Sequence, residues 1–415
     1  MERKFFIVSI AAILLFKGNA QTLSLDSILN TVRQSHPAMK MYDADIRSMD
    51  EASKGAKSWM PPELETGLWM TPYDASMWKK PAGGGTGMGQ YMISAQQMFP
   101  NKKEQRANEK YMQAMSSASK ETKQASLNEL YANAKRSYYI CLITQKKLKV
   151  LDENERILDF MIQSAELRYK NNLGKLDAYY KAKAALGNIA NQRIMMQNEI
   201  KQQRIMLNTL MNRDKNVDFL IDSFYTIKNY TEADSNYFIQ SRSDIKAIDR
   251  NIEIAKLQQD LERSKLKPQF GVRYDHMFGF GGLPMQYSLM AMVKLPIVGW
   301  SSKMNKANIE SLNWKSVSLN EQKQMILNEA SGEQQSMLAA IDSKKKQVEL
   351  YQKNIIPALQ KNYQTMQLSY EQNTGELFEL FDAWETLTMT QMEYFNQLQD
   401  LLLMQVDLDK ILEQK

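Results

Sequence analysis

Two stretches near the middle of the second half of the chain alternate between apolar and polar positions with a period of two. From Gln269 to Phe278, the residues Phe270, Val272, Tyr274 and Phe278 fall on one side, and Gln269, Gly271, Arg273 and Asp275 on the other. From Gln286 to Leu295, Tyr287, Leu289, Ala291, Val293 and Leu295 stand against Gln286, Ser288, Met290, Met292 and Lys294. Successive side chains of a strand point to opposite faces, so each stretch predicts a strand with two unlike faces. Each matches the roughly 9–11 residues that a transmembrane strand requires. A noisier pair lies earlier, Glu63 to Met70 and Tyr91 to Phe99, around a loop with Pro72, Pro81 and the run Gly83, Gly84, Gly85, Thr86, Gly87.

The rest of the pattern is helical. Between Asn101 and Leu173 there is neither Gly nor Pro, and Leu127, Leu130, Tyr131, Ala134, Tyr138, Cys141 and Leu142 recur at spacings of three and four. A continuous helix of that length would run roughly 110 Å at 1.5 Å per residue. A second such pattern runs from about Ser301 to Ser369, with Gly332 and Pro357 as the expected places for a bend. Helices this long need a partner face, in a coiled coil or a helical barrel.

The two halves repeat each other. Ser35-His36-Pro37, leading to Pro62, corresponds to Ser241-Arg242-Ser243, leading to Pro268. Phe99-Pro100 corresponds to Leu295-Pro296, Ala107-Asn108 to Ala307-Asn308, and Tyr169, Gly174 and Leu176 to Tyr370, Gly375 and Leu377. The expected organisation is therefore a first repeat over 21–211, a connector over 212–240 and a second repeat over 241–415. In the first repeat the strand pair occupies about 63–99, the long helix 101–173 and a further helix 176–211. In the second, these are 269–295, 301–369 and 376–415. The fold class is mainly α with a small β part.

Residues 1–20 read as a secretory signal: Glu2-Arg3-Lys4, an apolar run from Phe5 to Phe16, and Gly18-Asn19-Ala20 before a mature start at Gln21. No Cys follows the cleavage site, which argues against a lipid-modified N-terminus. Beyond the signal no stretch reaches the roughly 20 apolar residues of a membrane helix, so membrane insertion would have to use strands. Four strands cannot close a membrane barrel, because the smallest known has about eight and an open edge in lipid is costly. Several copies must then share one barrel, and either two or three would give an even strand count.

Charge and chemistry change this picture little. The net charge is +6, about +4 without the signal, with opposite charges interspersed, which gives no support to nucleic-acid binding. Cys141 is the sole cysteine, so there is no internal disulfide. Only His36 and His276 could serve as bases, and neither sits in a triad or metal motif. The glycine run lacks the Lys-Ser/Thr of a phosphate loop. No enzyme and no cofactor are expected. The 28 methionines, among them Met70, Met77, Met88, Met92 and Met98, could offer thioethers to Cu(I) or Ag(I), although Met is equally a packing residue.

The duplicated order of Ser35-His36-Pro37, the lead-ins at Pro62 and Pro268, the exits at Phe99-Pro100 and Leu295-Pro296, and the two Tyr-x4-Gly-x-Leu turns resembles the TolC family of outer-membrane efflux proteins over nearly the whole mature chain. The resemblance implies a homotrimer, a twelve-stranded β barrel in the outer membrane and a twelve-helix tunnel across the periplasm of a Gram-negative cell. It implies as partners a periplasmic adaptor and an inner-membrane pump, RND-type foremost. The chain is shorter than the better-known members, leaving little for a belt around the tunnel.

Within that frame Glu379 and Asp382, which share a helix face, would ring the periplasmic gate. Gly174 and Gly375 would sit at helix-turn tips where an adaptor docks. Arg273, Asp275, Ser288 and Lys294 would face the barrel lumen, and Phe270, Tyr274, Tyr287 and Leu289 the lipid. The reading is a passive exit duct, with copper or heavy-metal efflux as one duty. A secreted coiled-coil scaffold and a duct for type I protein secretion are the alternatives.

Overall fold

The computed structural model describes residues 22–171, 176–296 and 298–414. The signal and Gly174 lie outside the described residues. The chain is mainly helical with a small sheet part. In order it forms β1 (Thr22–Leu23), α1 (Leu25–Ser35), α2 (Pro37–Lys54), β2 (Glu63–Trp69), β3 (Gln90–Phe99), α3 (Lys102–Lys170), α4 (Asp177–Leu210), β4 (Leu220–Ile221), α5 (Ser235–Ser241), α6 (Ser243–Lys265), β5 (Gln269–Gly279), β6 (Gln286–Lys294), α7 (Gly299–Leu350), α8 (Ile356–Glu371) and α9 (Leu377–Leu412). The residues group into two units, one from Met1–Pro37, Asn128–Glu232 and Gln334–Lys415, the other from Ala38–Leu127 and Ala233–Glu333.

The second unit holds the four-stranded antiparallel sheet, ordered β2-β3-β5-β6. β3 and β5 are central and pair from Gln90↔Gly279 to Phe99↔Phe270. The tips of the two hairpins interlock. The Trp78 ring stacks on Phe280 at 5.3 Å, and the Gly87 amide donates to the Gly281 carbonyl at 2.9 Å. A Cβ on Gly87 would fall 2.3 Å from the Trp78 carbonyl oxygen, so a glycine at this position is needed for the close approach. After the strand exit at Pro100, Asn101 starts α3 by accepting the Lys103 amide at 2.9 Å on its side chain.

α3 is a single helix of 69 residues. Its counterpart is interrupted. Gly332 sits inside α7 without a break, as a glycine costing only about 1 kcal/mol can. Pro357 is accommodated differently: a π-helical turn, Tyr351–Ile355, precedes it, and Pro357 falls in the first turn of α8. A proline there has no N–H to give and its ring crowds the carbonyl four residues back, so a wider turn relieves the clash.

In the first unit the connector is short but ordered. β1 pairs in parallel with β4, Thr22↔Leu220 and Leu23↔Ile221. Asp409 of α9 gathers the rest: its carboxylate accepts from Lys135 at 2.7 Å, from Lys228 at 2.8 Å and from the Tyr230 hydroxyl at 2.9 Å. The Lys135 and Asp409 side chains are each 5% exposed. Burial lowers the Lys135 pKa and the Asp409 charge opposes that shift. Burial, then the charge of Asp409, raises that of Tyr230. The connector is thus held to α3 and α9 by a buried ionic cluster.

Candidate functional site

The pairing register sorts the sheet residues into two faces. One carries the row Glu65, Ser94, Asp275, Ser288 and, beside it, Glu63, Gln96, Arg273, Met290. Asp275 is the centre of this face. Ser94 Oγ donates to its Oδ1, Arg273 Nε to the same oxygen at 2.8 Å, and Ser288 Oγ to Oδ2 at 2.7 Å. The other end of the Arg273 guanidinium reaches Glu65 Oε2 at 3.2 Å. With its lone pairs occupied, the carboxylate can sit on a sheet with only 2% of its surface exposed. Lys294 belongs to the same face at its lower end, opposite Gln269, and is exposed.

The opposite face is apolar and open. Its rows run Leu64, Ala95, Tyr274, Leu289; then Thr66, Ile93, His276, Tyr287; and, toward the other end, Phe99, Phe270, Val293. Leu64 is 76% exposed, Tyr287 73% and Leu289 68%; Phe270 and Tyr274 are exposed too. Aromatic rings stand along this apolar band, Phe99 and Phe270 toward one end, Tyr274 in the middle and Tyr287 toward the other.

The second group of sequence-predicted residues lies in the first unit. Glu379 and Asp382 are both exposed on one side of α9. Leu380, Phe381, Ala383 and Trp384 on the other side are buried, in part against Leu151, Leu158, Met161 and Tyr370. The next acid, Glu385, is approached by Lys181 at 3.5 Å, and that ammonium also lies 4.6 Å from the Phe378 ring centre and 4.4 Å from that of Phe381.

The turn before Gly375 is closed by an asparagine. α8 ends at Glu371, and Asn373 takes the left-handed conformation (φ 60°) with its amide on the Tyr370 carbonyl, while the Thr374 amide bonds to Ser369. This is a Schellman closure with Asn in the place usually held by Gly. Gly375 has another reason to be small: a Cβ there would lie 3.1 Å from that of Ser369. Arg168 of α3 braces the turn, donating to the Tyr370 carbonyl at 2.7 Å and to Asn373 Oδ1 at 2.5 Å, with its guanidinium 4.0 Å from the Tyr370 ring centre.

No family model and no curated relative matches the sequence. Solved structures match at full length. The outer-membrane channel OprN aligns at 13% identity over 94% of this chain and 90% of its own, with a TM-score of 0.75. VceC, an outer membrane protein of Vibrio cholerae, aligns at 14% over 94% and 95%, with a TM-score of 0.72. The open state of the Neisseria gonorrhoeae outer membrane channel MtrE aligns at 14% over 94% and 89%, also at 0.72. The chain has the TolC-channel fold.

On this fold the two groups of residues are separate: Arg273, Asp275 and Ser288 are drawn together on the sheet, whereas Glu379 and Asp382 stand in the other unit. Sequence reasoning missed Ser94 and Glu65, the partners of Asp275 and Arg273, because the first strand pair is the noisier one. Once the register of β3 against β5 is set, both fall on the polar face by parity alone. It also missed Arg168, whose only signal is its place six residues before Gly174, where the equivalent in the second repeat, Ser369, is no cation. No group of three or more His, Cys, Asp or Glu suited to a metal ion occurs among the described residues.

Proposed function

We propose that three copies of this chain form a homotrimeric exit duct in the outer membrane of a Gram-negative cell. The single observation that carries this reading is the four-stranded sheet with one open apolar face and no further strand on the outer side of β2 or β6 among the described residues. In lipid each unsatisfied backbone group costs several kcal/mol, so β2 of one protomer has to meet β6 of the next. Three protomers give a twelve-stranded barrel, whose lumen is faced by Arg273, Asp275, Ser288 and Lys294 and whose lipid face is Phe270, Tyr274, Tyr287 and Leu289. The long helices continue it as a helical barrel in the periplasm.

The duct is passive and has no catalytic step. A periplasmic adaptor docks around the turn at Gly375 and at its repeat equivalent Gly174, and an inner-membrane pump, RND-type, supplies energy and direction. Three copies each of Glu379 and Asp382 form carboxylate rings at the periplasmic mouth that favour cations. The fold shared with the outer-membrane channels OprN and MtrE supports the exit-duct part of this reading.

Detergent-extracted outer membranes run unboiled on a denaturing gel test it, together with conductance of the purified protein in planar bilayers. A heat-sensitive trimer band and stable conductance are expected. A water-soluble monomer recovered from the periplasm would instead favour the secreted scaffold.

A further inference from the structure

The lumen of a membrane barrel is ordinarily polar, yet on the Asp275 face of this sheet stand five methionines: Met92, Met98, Met277, Met290 and Met292. In a packed core, methionine fills gaps. Here there is no core for them to fill, since none of the five is buried and Met290 is 44% exposed. They are not scattered. Met92 and Met277 are directly opposed across β3 and β5. Met98 and Met292 lie on either side of Gly271, their common partner in register.

Gly271 is what lets the second pair converge. A Cβ at this position would fall 2.4 Å from Met98 Sδ and 3.1 Å from Met292 Cε. Both thioether arms therefore fold over the space that any other residue's side chain would occupy. The two pairs are six residues apart along β5, roughly 20 Å, with Met290 between them opposite Arg273. The same face forms a hollow of about 630 Å³ lined by Met92, Met277, Met290 and Met292 together with Arg273 and Asp275.

Thioether sulfur is a soft, neutral ligand that selects Cu(I) and similar ions over hard cations such as Mg²⁺ or Ca²⁺. We infer that Met98 and Met292, converging over Gly271, form a site for a soft monovalent cation, Cu(I) or Ag(I), on the inner wall of the duct, and that Met92 and Met277 form a second. The inference rests on the channel reading, because only in a barrel does this face enclose a path, and it names the class of substrate that the wall would receive. Neutral ligands at an accessible surface suit such a path: they bind without trapping, and the ion can pass from one pair to the next.

The test uses the purified trimer in detergent, in chloride-free buffer, titrated calorimetrically with silver nitrate, with X-ray absorption at the silver edge to read the ligand atoms. The wild type should bind Ag(I) with sulfur neighbours. Loss of an outer partner alone weakens metal sites about 10–100-fold, so the M98L/M292L double variant should bind at that site at least about tenfold more weakly. A control double variant at the exposed helix methionines, M195L/M206L, should match the wild type. Wild-type trimer that conducts but binds no Ag(I), or binding that is equal in M98L/M292L and wild type, overturns the thioether site and leaves the channel standing. Protein that neither trimerises nor conducts removes the channel reading itself.

Discussion

Ser94 and Asp275 face each other across the two central strands, and the serine hydroxyl donates to the aspartate although 181 residues separate them in sequence. With Arg273 bonded to the same carboxylate and to Glu65, the polar face is a linked network. On that face Glu63, Glu65 and Asp275 stand against Arg273 and Lys294, an excess of one negative charge per chain. Replacing Arg273 by Gln should double the excess and raise the preference of the conductance for cations over anions, read as a shift in reversal potential across a salt gradient. An unchanged or anion-ward shift would mean that these carboxylates do not line the conducting path.

Leu289 and Ser288 are neighbours on opposite faces of β6, one exposed on the apolar band and the other bonded to Asp275. A lysine on the lipid face near the bilayer midplane costs about 2–4 kcal/mol, and a lumen substitution far less. L289K should therefore lose most of its heat-sensitive trimer, whereas S288K, which places an ammonium beside Asp275, should keep it. Equal loss in both would argue that the face of Leu289 meets protein and not lipid.

Lys135 and Asp409 make a pair that cannot be exposed cheaply, each side chain being 5% exposed. Asp409→Asn would leave the Lys135 ammonium at 5% exposure without its counter-charge, a change that typically costs about 3–5 kcal/mol. Lys228, on the rim of the cluster at 38% exposure, should cost less when changed to Met. The pH dependence has a definite sign. The Lys135 pKa in the folded chain lies below its ordinary 10.5, so between the two values the unfolded chain binds more protons. Stability from this group rises with pH through that window and is lost as pH falls through the folded value. In D409N, without the charge that opposes the depression, the window should extend to lower pH, visible as a Tm that climbs over a wider alkaline range.

Much of the sheet could be read from the sequence because its two faces differ in polarity, which leaves a period of two along most of Gln269–Phe278 and Gln286–Leu295. The first hairpin was harder because Glu63 and Glu65 alternate with Leu64 and Thr66 over only a few positions before Gly67. The helices were legible from the absence of Gly and Pro, but the response to Pro357, a π turn, depends on how the chain relaxes locally, and no residue pattern encodes that. The left-handed cap at Asn373 was hidden by the more conspicuous Gly375 two residues on. The Asp409 cluster joins α3, the connector and α9, so it is visible only once long-range packing is known.

Cys141 gives an internal report on that packing. It has no exposed surface, and burial pushes its thiol pKa up to about 11. Because the thiolate is the reactive form, iodoacetamide at neutral pH should leave the native protein unlabelled and modify it fully in denaturant. Rapid labelling of the folded trimer would show that this stretch of α3 opens locally.

Glu379 and Asp382 bear the most direct prediction about gating. Both are exposed on the side of α9 away from the packed Leu380, Phe381 and Trp384, and Lys181 is engaged one turn further on, with Glu385 and the rings of Phe378 and Phe381. In the proposed duct the two acids would therefore set a field at the periplasmic mouth, whereas Glu385 is partly compensated by Lys181. The double change of Glu379 and Asp382 to Ala should lower cation selectivity and weaken block by divalent cations added from the periplasmic side, while Glu385→Gln should have a smaller effect. Neither substitution touches the buried side of α9, so the amount of trimer should stay the same. Selectivity that survives the double change but falls with E385Q would move the constriction by one helical turn, onto the Lys181 contact.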